Sequence, residues 1–133
     1  MSGVPASDVD VVRRAYAALA AGDMQELELC FARDAVWHEP GDNIFSGDRV
    51  GWPEIRDELF ALLGPLSEGA FRAELVDVTV GDQYVVAVQR AQGKHHGRTL
   101  DSTSCQVSRM VRGLIQEVWA TYANQAEVDA FWT

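Results

Sequence analysis

The amino-acid sequence predicts an α+β fold, a cone in which a curved mixed β-sheet wraps around three N-terminal helices and encloses a single apolar pocket. Three observations lead to this prediction. Apolar residues recur at helical spacing in the first half of the chain, one short strand-like segment follows the second helix, and four strand-like segments fill the second half. A sheet covered by helices buries one face, and long strands curl around the helices.

Length and composition limit the classes of protein to which this chain can belong. Its 133 residues, 47% of them hydrophobic, are enough for one core, so we expect one domain over residues 1–133. A count of 11 basic and 20 acidic residues gives a net charge of −9, which repels nucleic-acid backbones and anionic lipids. We therefore expect neither nucleic acid nor a membrane as a partner.

The cysteines and the N-terminal residues indicate the compartment. The chain has two cysteines, Cys30 and Cys105, and its start lacks the charged and apolar segments of a secretory signal. No apolar run reaches the ~18–20 residues that cross a bilayer. We expect a soluble, cytoplasmic protein in which both thiols are reduced and buried.

The first two helices are predicted from capping residues and apolar spacing. Met1–Ala6 is expected to be a loose arm, after which Ser7 opens a capping box. Gly22 is a suitable C-terminal cap for the first helix. Asp23 then begins a second helix, which we expect to end at Arg33-Asp34.

A short strand, a loop and a third helix come next. Ala35–Glu39 has β character and stops at Pro40-Gly41. Residues 41–51, with three glycines, predict a long irregular loop, and such loops in compact domains are usually functional. Pro53 suits the first turn of a third helix, which we expect Gly64-Pro65 to stop.

The second half of the chain predicts a meander of four strands separated by turns that contain glycine. The expected strands span residues 71–80, 84–92, 98–111 and 114–123. The polar segment 101–104 indicates that one face of the sheet is solvated, so the other face must be covered.

Two segments carry a resemblance to a known family. "YAALAAGDMQELELCFARDAVWHEP" (residues 16–40) resembles the opening of SnoaL-like polyketide cyclases and ketosteroid isomerases, both of the nuclear-transport-factor-two-like superfamily. "GLIQEVWATYANQAEVDAFW" (residues 113–132) resembles the closing strand and short C-terminal helix of many SnoaL-like members. The resemblance implies the cone fold and a homodimer formed through the sheet. Isomerases, cyclases, epoxide hydrolases and non-catalytic binding proteins share this fold, so the function stays open.

The resemblance also assigns residues. In ketosteroid isomerases the carboxylate before the strand-ending proline is the general base, and Glu39 stands at that position. A tyrosine and a protonated aspartic acid stabilise the oxyanion in that family; here the first position falls on Ala15, beside Tyr16, and the second near Gln106. Limonene-epoxide hydrolases use an Arg-x-Asp, whose nearest match is Arg90-Ala91-Gln92, without the acid.

Three residues are candidates for catalysis. Burial at the mouth of an apolar pocket would raise the pKa of Glu39 towards neutrality, whereas an acid at a strand end can equally be solvated. Strand alternation sends His38 to the face opposite Glu39 unless a bulge intervenes. His38 is therefore a structural imidazole or, with a bulge, a further pocket group. Gln106 could offer an amide N–H to a developing enolate, or lie on the outer face of the sheet.

The candidates for ligand binding are mostly aromatic. The set that suits a flat polycyclic ligand, or equally a hydrophobic core, is Tyr16, Trp37, Trp52, Trp119 and Tyr122. Arg90 either binds ligand or forms a surface pair with Asp101. His95-His96 is expected in a solvated turn, and because zinc-type spacing is missing we expect no metal, and no cofactor.

Two classes of function follow. The first is an enzyme that isomerises or cyclises a small hydrophobic carbonyl compound, such as a polyketide or other secondary metabolite, with Glu39 as the base. The second is a non-catalytic protein of the same fold that binds or presents a hydrophobic ligand. Epoxide hydrolysis is a third alternative.

Overall fold

The computed structural model describes residues 7–133, so the predicted arm Met1–Ala6 lies outside the described residues. The elements are α1 (Asp8–Ala21), α2 (Met24–Glu28), β1 (Phe31–Glu39), β2 (Gly47–Val50), α3 (Trp52–Ile55), a π-helical turn (Arg56–Phe60), α4 (Ala61–Leu66), β3 (Arg72–Val80), β4 (Tyr84–His95), β5 (Arg98–Val111), β6 (Leu114–Tyr122) and α5 (Gln125–Phe131). Within residues 7–133, no helix is long and apolar enough to cross a membrane.

Capping residues determine where α1 begins and ends, as predicted. Ser7 Oγ accepts a hydrogen bond from the Asp10 N–H at 3.1 Å, which satisfies one free donor of the first turn. Gly22 ends the helix with a φ of 67°, a conformation that glycine adopts without strain. The Asp23 carboxylate then caps α2 by accepting from the Glu26 N–H at 3.0 Å.

The prediction that the second helix reaches residues 33–34 is wrong. α2 ends at Glu28, and β1 begins at Phe31. Hydrogen bonding to the sheet explains the early end, because Phe31 pairs with Ile115 of β6, and the Ile115 N–H donates to the Cys30 carbonyl at 2.9 Å. Cys30 is fully buried and Cys105 half-buried, and both are free thiols.

The segment between β1 and β3 is more regular than predicted. Part of the expected irregular loop forms β2, which pairs antiparallel with β1. The third helix is not stopped at Gly64 and Pro65 but continues to Leu66. Only one helical residue follows the proline, so its missing N–H affects the last turn alone. Ser67 completes that turn, since its hydroxyl donates to the Leu63 carbonyl at 2.5 Å.

The strands of residues 7–133 form one curved mixed sheet in the order β2-β1-β6-β5-β4-β3. β1 and β6 run parallel, and every other neighbouring pair runs antiparallel. α1 packs against β3, β4 and β6, and α5 packs against β5 and β6. The predicted α+β cone with a mixed sheet is therefore confirmed.

Alternation along the strands gives the sheet an inner face, which the helices cover, and an outer face. In β4 the odd-numbered residues from Val85 to His95 are buried, and in β5 the even-numbered residues from Ser104 to Met110 are buried. In β1 the side chains of Trp37 and Glu39 are buried, while His38 between them is half-buried. Each strand therefore presents one set of residues to the interior and the other set to the outside.

Candidate functional site

A cavity of about 100 Å³ lies between the inner face of the sheet and the helices. Its walls are mainly apolar, and α5 contributes Val128 and the following Trp132 to them. The wall residues that carry hydroxyl, amide or carboxyl groups are Tyr16, Glu39, Gln89, Gln106, Ser108 and Tyr122. A mainly apolar pocket with a few polar side chains is the usual form of a small-molecule site.

Glu39 reaches the cavity because β1 places it on the same face as Trp37, two residues earlier. Only 7% of Glu39 is exposed. The indole N–H of Trp37 donates to Glu39 Oε1 at 2.9 Å, and the hydroxyl of Tyr122 donates to Oε2. Among residues 7–133, Glu39 is the one carboxylic acid in the cavity wall.

Burial dominates the protonation of this carboxyl. Loss of solvation raises the pKa of Glu39, while the hydrogen bonds from Tyr122 and Trp37 and the positive charge of Arg49 oppose the increase. Burial and the nearby negative charge also raise the pKa of Tyr122 far above its ordinary value, so its hydroxyl stays protonated and acts as a donor. The net result is a carboxyl whose pKa is higher than that of a solvated glutamate, which makes it a stronger proton acceptor when ionised.

Tyr16 forms a second polar group on the cavity wall. Its hydroxyl donates to Gln89 Oε1 at 2.6 Å, across the space between α1 and β4. Burial strongly raises the pKa of Tyr16, so this hydroxyl is also protonated. Tyr16 therefore lines the cavity, and its hydrogen bond goes to Gln89 instead of to Glu39.

Gln106 lies on the inner face of β5, so the alternative that it lies on the outer face is wrong. It is 9% exposed and lines the cavity. Its cross-strand neighbours are the small residues Ala87 and Ala120, which leave the amide uncovered by larger side chains. Within residues 7–133, Gln106 Oε1 and the nearby Ser104 Oγ are buried without a hydrogen-bond partner. Unsatisfied buried polar atoms of this kind are suited to receive a ligand or a water.

His38 and Trp119 lie on the outer face, so of the two alternatives for His38 the structure favours the structural imidazole, and Trp119 does not line the cavity. His38 Nδ1 lies 2.8 Å from Asp48 Oδ1, and Nε2 lies 2.6 Å from Glu117 Oε2. The His38 ring stacks on Trp119, with 5.4 Å between ring centroids. Alternation is the cause, because residues adjacent to the inward Glu39 and Val118 must point outward.

Trp52 and Arg90 also lie away from the cavity, which corrects two further predictions. Trp52 is 1% exposed and packs in the core against Phe31, with 5.0 Å between ring centroids. Arg90 is exposed on the outer face, where its guanidinium donates to both oxygens of Asp101 at 2.8 and 2.6 Å. The Arg90-Ala91-Gln92 segment therefore does not bring a guanidinium to the cavity, which removes the support for the epoxide alternative.

His95 is buried, in contrast to the solvated turn predicted for it. Its Nδ1 lies 2.6 Å from the Leu66 carbonyl oxygen, and its ring stacks on His96 with 3.9 Å between centroids. β4 continues to this residue, and the turn itself begins at His96. Within residues 7–133, no group of three His, Cys, Asp or Glu side chains is arranged to hold a metal ion.

Many of the residues that line the cavity were not predicted, among them Phe45, Gln89 and Trp132, and Arg49 beside it was not predicted either. Gln89 could have been found, because it is a polar residue at an inward position of an otherwise apolar strand. Phe45 and Trp132 both line the cavity and pack edge to face, with 4.8 Å between ring centroids. Arg49 belongs to the segment expected to be a loop, and it is buried and donates to the Phe45 and Gly47 carbonyls. These contacts depend on tertiary packing that no local pattern reveals.

The chain is similar to known proteins in sequence and in fold. A family model described as "SnoaL-like domain" matches residues 12–118. An uncharacterized protein of Mycobacterium tuberculosis is 33% identical over 130 residues, covering 95% of this chain and 96% of that protein. The structure of Bal32a, from a soil-derived mobile gene cassette, is 31% identical over 95% of this chain and 96% of its own, with a TM-score of 0.91. An NTF2-like protein of Burkholderia pseudomallei, 19% identical over 95% and 97% of the two chains, shares the fold with a TM-score of 0.78.

Proposed function

We propose that this chain, which belongs to the SnoaL-like domain family, is an enzyme. The proposed reaction is the isomerisation or cyclisation of a small hydrophobic carbonyl compound. One observation carries the proposal. Glu39, a carboxyl with a raised pKa, lines an apolar cavity that the side-chain amide of Gln106 also lines. A base and a neutral hydrogen-bonding group in one dry cavity are the two elements that enolisation requires.

The proton transfer assigns a separate role to each group. Glu39, in its ionised form, removes a proton from the carbon beside the carbonyl, and the electron pair of that C–H bond moves through the new C=C bond to the carbonyl oxygen. The amide N–H of Gln106 donates to this oxygen as its negative charge develops. The enolate then takes the proton back at another carbon, or attacks an electrophilic carbon of the same molecule. Either outcome conserves all atoms and requires no oxidant.

Trp37 and Tyr122 prepare the base. A carboxylate has about four lone-pair sites, and these two donors occupy one site on each oxygen, so the remaining sites can face a substrate. The two hydrogen bonds also restrict the rotation of the carboxyl group. A base that is held near its target lowers the activation barrier more than a mobile base does, because less conformational entropy is lost on reaching the transition state.

A non-catalytic binding protein is the alternative, and one observation favours it. Both oxygens of Glu39 already have a donor within the protein, an arrangement that also suits a purely structural buried acid. On this alternative the cavity binds a hydrophobic ligand, and truncation of its aromatic walls should weaken affinity more than substitution of Glu39 does.

Substitution of Glu39 tests the proposal. In Glu39→Gln the side chain keeps its shape and loses the proton acceptor, so turnover should fall by roughly 10²–10⁴ while ligand affinity changes little. Isomerisation of 3-cyclohexen-1-one to its conjugated isomer, followed by absorbance, is a suitable assay because a single ring matches the cavity. Glu28→Gln, an exposed position at the end of α2, is the matched control. Unchanged turnover in Glu39→Gln, or binding without turnover in the unsubstituted protein, would reject the catalytic role.

A further inference from the structure

A second depression in the surface adjoins the cavity and shares part of its wall. This outer cleft lies between the C-terminal end of α1, α2, the third helix and β3, and has a free volume of about 670 Å³. It shares six wall residues with the cavity, namely Leu19, Leu27, Phe60, Leu63, Phe71 and Ala73. Glu39 belongs to the cavity wall alone, so it lies inward of the mouth where the sequence placed it.

The two spaces differ in size. An engineered protein cavity of about 150 Å³ accommodates one benzene molecule. At about 100 Å³, the cavity beside Glu39 holds a group no larger than a single ring. A flat polycyclic ligand, which the aromatic residues suggested, cannot fit there as a whole. Any larger substrate must extend past the six shared residues into the outer cleft.

The two spaces also differ in polarity along their length. Half-buried apolar side chains, including Met24, Leu63 and Phe71, line the outer cleft, and its charged wall residues are Asp23, Arg72 and Glu74 at exposed positions. Among residues 7–133, no lysine, arginine or histidine lines the cavity itself. Arg49 acts on Glu39 from outside the cavity wall and donates to two backbone carbonyls. An anionic group in the cavity would therefore lose its solvation and face the Glu39 carboxyl without a cation in the wall.

We propose that the substrate is an amphiphile with a neutral, ring-sized carbonyl head that occupies the cavity and a linear apolar tail that lies in the outer cleft. This inference rests on the proposed function for the identity of the head as a carbonyl group. The tail follows from the wall that the two spaces share and from their difference in volume. The head is neutral because the cavity offers hydrogen-bonding groups and no described positive charge.

A homologous series of ligands tests the tail. 4-Alkylphenols from methyl to octyl carry a neutral ring-sized head, and quenching of the Trp37 and Trp132 fluorescence reports their binding to the cavity. Complete burial of a methylene tightens binding roughly fourfold, and an open cleft covers about half of the chain, so each methylene should tighten binding about twofold. 4-Alkylbenzoates of the same lengths should bind at least about tenfold more weakly, because their carboxylate must be desolvated. Affinity independent of chain length, or equal affinity for the benzoates, would overturn the inference.

Substitutions in the outer cleft separate this site from nonspecific adsorption. Ala61 and Ala20 are exposed and line the outer cleft alone, so Ala61→Trp or Ala20→Trp fills it without reaching the cavity. Each variant should abolish the gain with chain length and leave 4-methylphenol affinity unchanged. Ala17→Trp, at an exposed position of α1 that lines neither space, is the control and should behave like the unsubstituted protein. A chain-length dependence that survives both cleft variants would place the tail elsewhere and contradict the proposal.

The outcome is independent of the catalytic test. If Glu39→Gln leaves turnover unchanged but the chain-length dependence is present and lost in the Ala61→Trp variant, the proposed reaction fails and the two-part ligand site stands. If Glu39→Gln removes turnover but affinity does not depend on chain length, the reaction stands and the outer cleft is not a tail site. The two measurements therefore fail separately.

Discussion

Glu39 and His38 are neighbours in β1, and their side chains lie on opposite faces of the sheet. On the inner face, burial raises the pKa of Glu39 and so favours the neutral form. On the outer face, hydrogen bonding to Glu117 is the main cause that raises the pKa of His38 and so favours the charged form. The period of two along a strand thus places a proton-exchanging acid in a dry environment directly beside an ion pair in a wet one.

The comparison extends across the sheet. On the inner face the row through Glu39 leads to the cavity, whereas on the outer face Val86, Val107 and Trp119 form one row over three adjacent strands. Their residues are half-buried in the single chain. A row of apolar side chains on a broad sheet face suits an interface with a second copy of the same chain. The inner face would then bind a small molecule while the outer face binds the partner subunit.

The largest expected effect concerns this assembly. We propose a homodimer formed through the outer face, and light scattering at micromolar concentration should give twice the 14.6 kDa of one chain. Val107→Lys places a charge in the centre of the row and should give the monomer mass with an unchanged far-ultraviolet spectrum. Thr99→Lys, exposed near the end of the same strand, should remain dimeric. A monomeric unsubstituted protein at the same concentration would contradict the proposal.

Much of this fold is predictable from local chemistry because its helices and turns depend on local contacts. The caps at Ser7 and Gly22 act through the nearest backbone groups, so α1 follows from a few letters of sequence. The end of α2 is different, because Phe31 has helical spacing yet pairs with Ile115 more than eighty residues later. Long-range strand pairing prevails over local propensity there, and no window of sequence contains it.

Strand alternation and the family resemblance predict part of the site. Alternation correctly separates His38 from Glu39, and the resemblance identifies Glu39 as the candidate base. Neither could decide whether Arg90 binds ligand or pairs with Asp101 on the outer face. That decision requires knowing which residues of β4 point towards the cavity. The sequence also left the position of Trp52 open, because an aromatic residue is equally expected in a hydrophobic core and in a pocket wall.

The second expected effect concerns the stability of the inner face. Because the folded-state pKa of Glu39 is raised above its ordinary 4.5, its contribution to stability is present below that value and is lost as pH rises through the folded-state pKa. Glu39→Gln does not titrate, and its amide can still accept from Trp37 and donate to Tyr122. The variant should therefore gain in melting temperature relative to the unsubstituted protein as pH increases above 4.5. Parallel melting profiles across this range would show that Glu39 is not desolvated.

That stability gain would coincide with the loss of turnover expected for the same variant. A group kept at a cost in stability is typical of a functional site, since selection for folding alone would remove it. The pair of results therefore distinguishes a catalytic acid from a structural one. If Glu39 is structural and its charge-assisted hydrogen bonds from Trp37 and Tyr122 outweigh the cost of burial, Glu39→Gln replaces them with neutral ones and should lose stability as pH rises.

The smallest expected effect concerns the outer face. A neutral imidazole has one N–H, so only the protonated His38 ring donates to both Asp48 and Glu117. Its raised pKa means that the stabilisation is fully present below the ordinary value of 6.5 and is lost as pH rises through the folded-state value. His38→Gln should therefore lower the free energy of unfolding by about 0–1 kcal/mol, the range of partly exposed ion pairs, at pH values below the His38 titration and leave it unchanged above. Urea unfolding at pH values on either side of the transition measures this difference.

Carboxylate variants and a double variant sharpen the same prediction. The NMR titration of His38 should move to lower pH in Glu117→Gln and by less in Asp48→Asn, because the hydrogen bond to Glu117 is the larger cause. Arg109, which donates to Glu117 at 3.3 Å, should compete for that carboxylate. The stability changes of His38→Gln and Glu39→Gln should add in the double variant, because the two side chains share no partner across the sheet. Coupling well above about 0.5 kcal/mol would mean that the faces communicate through β1, and the separation of a dry face from a wet one would then fail as a description of this sheet.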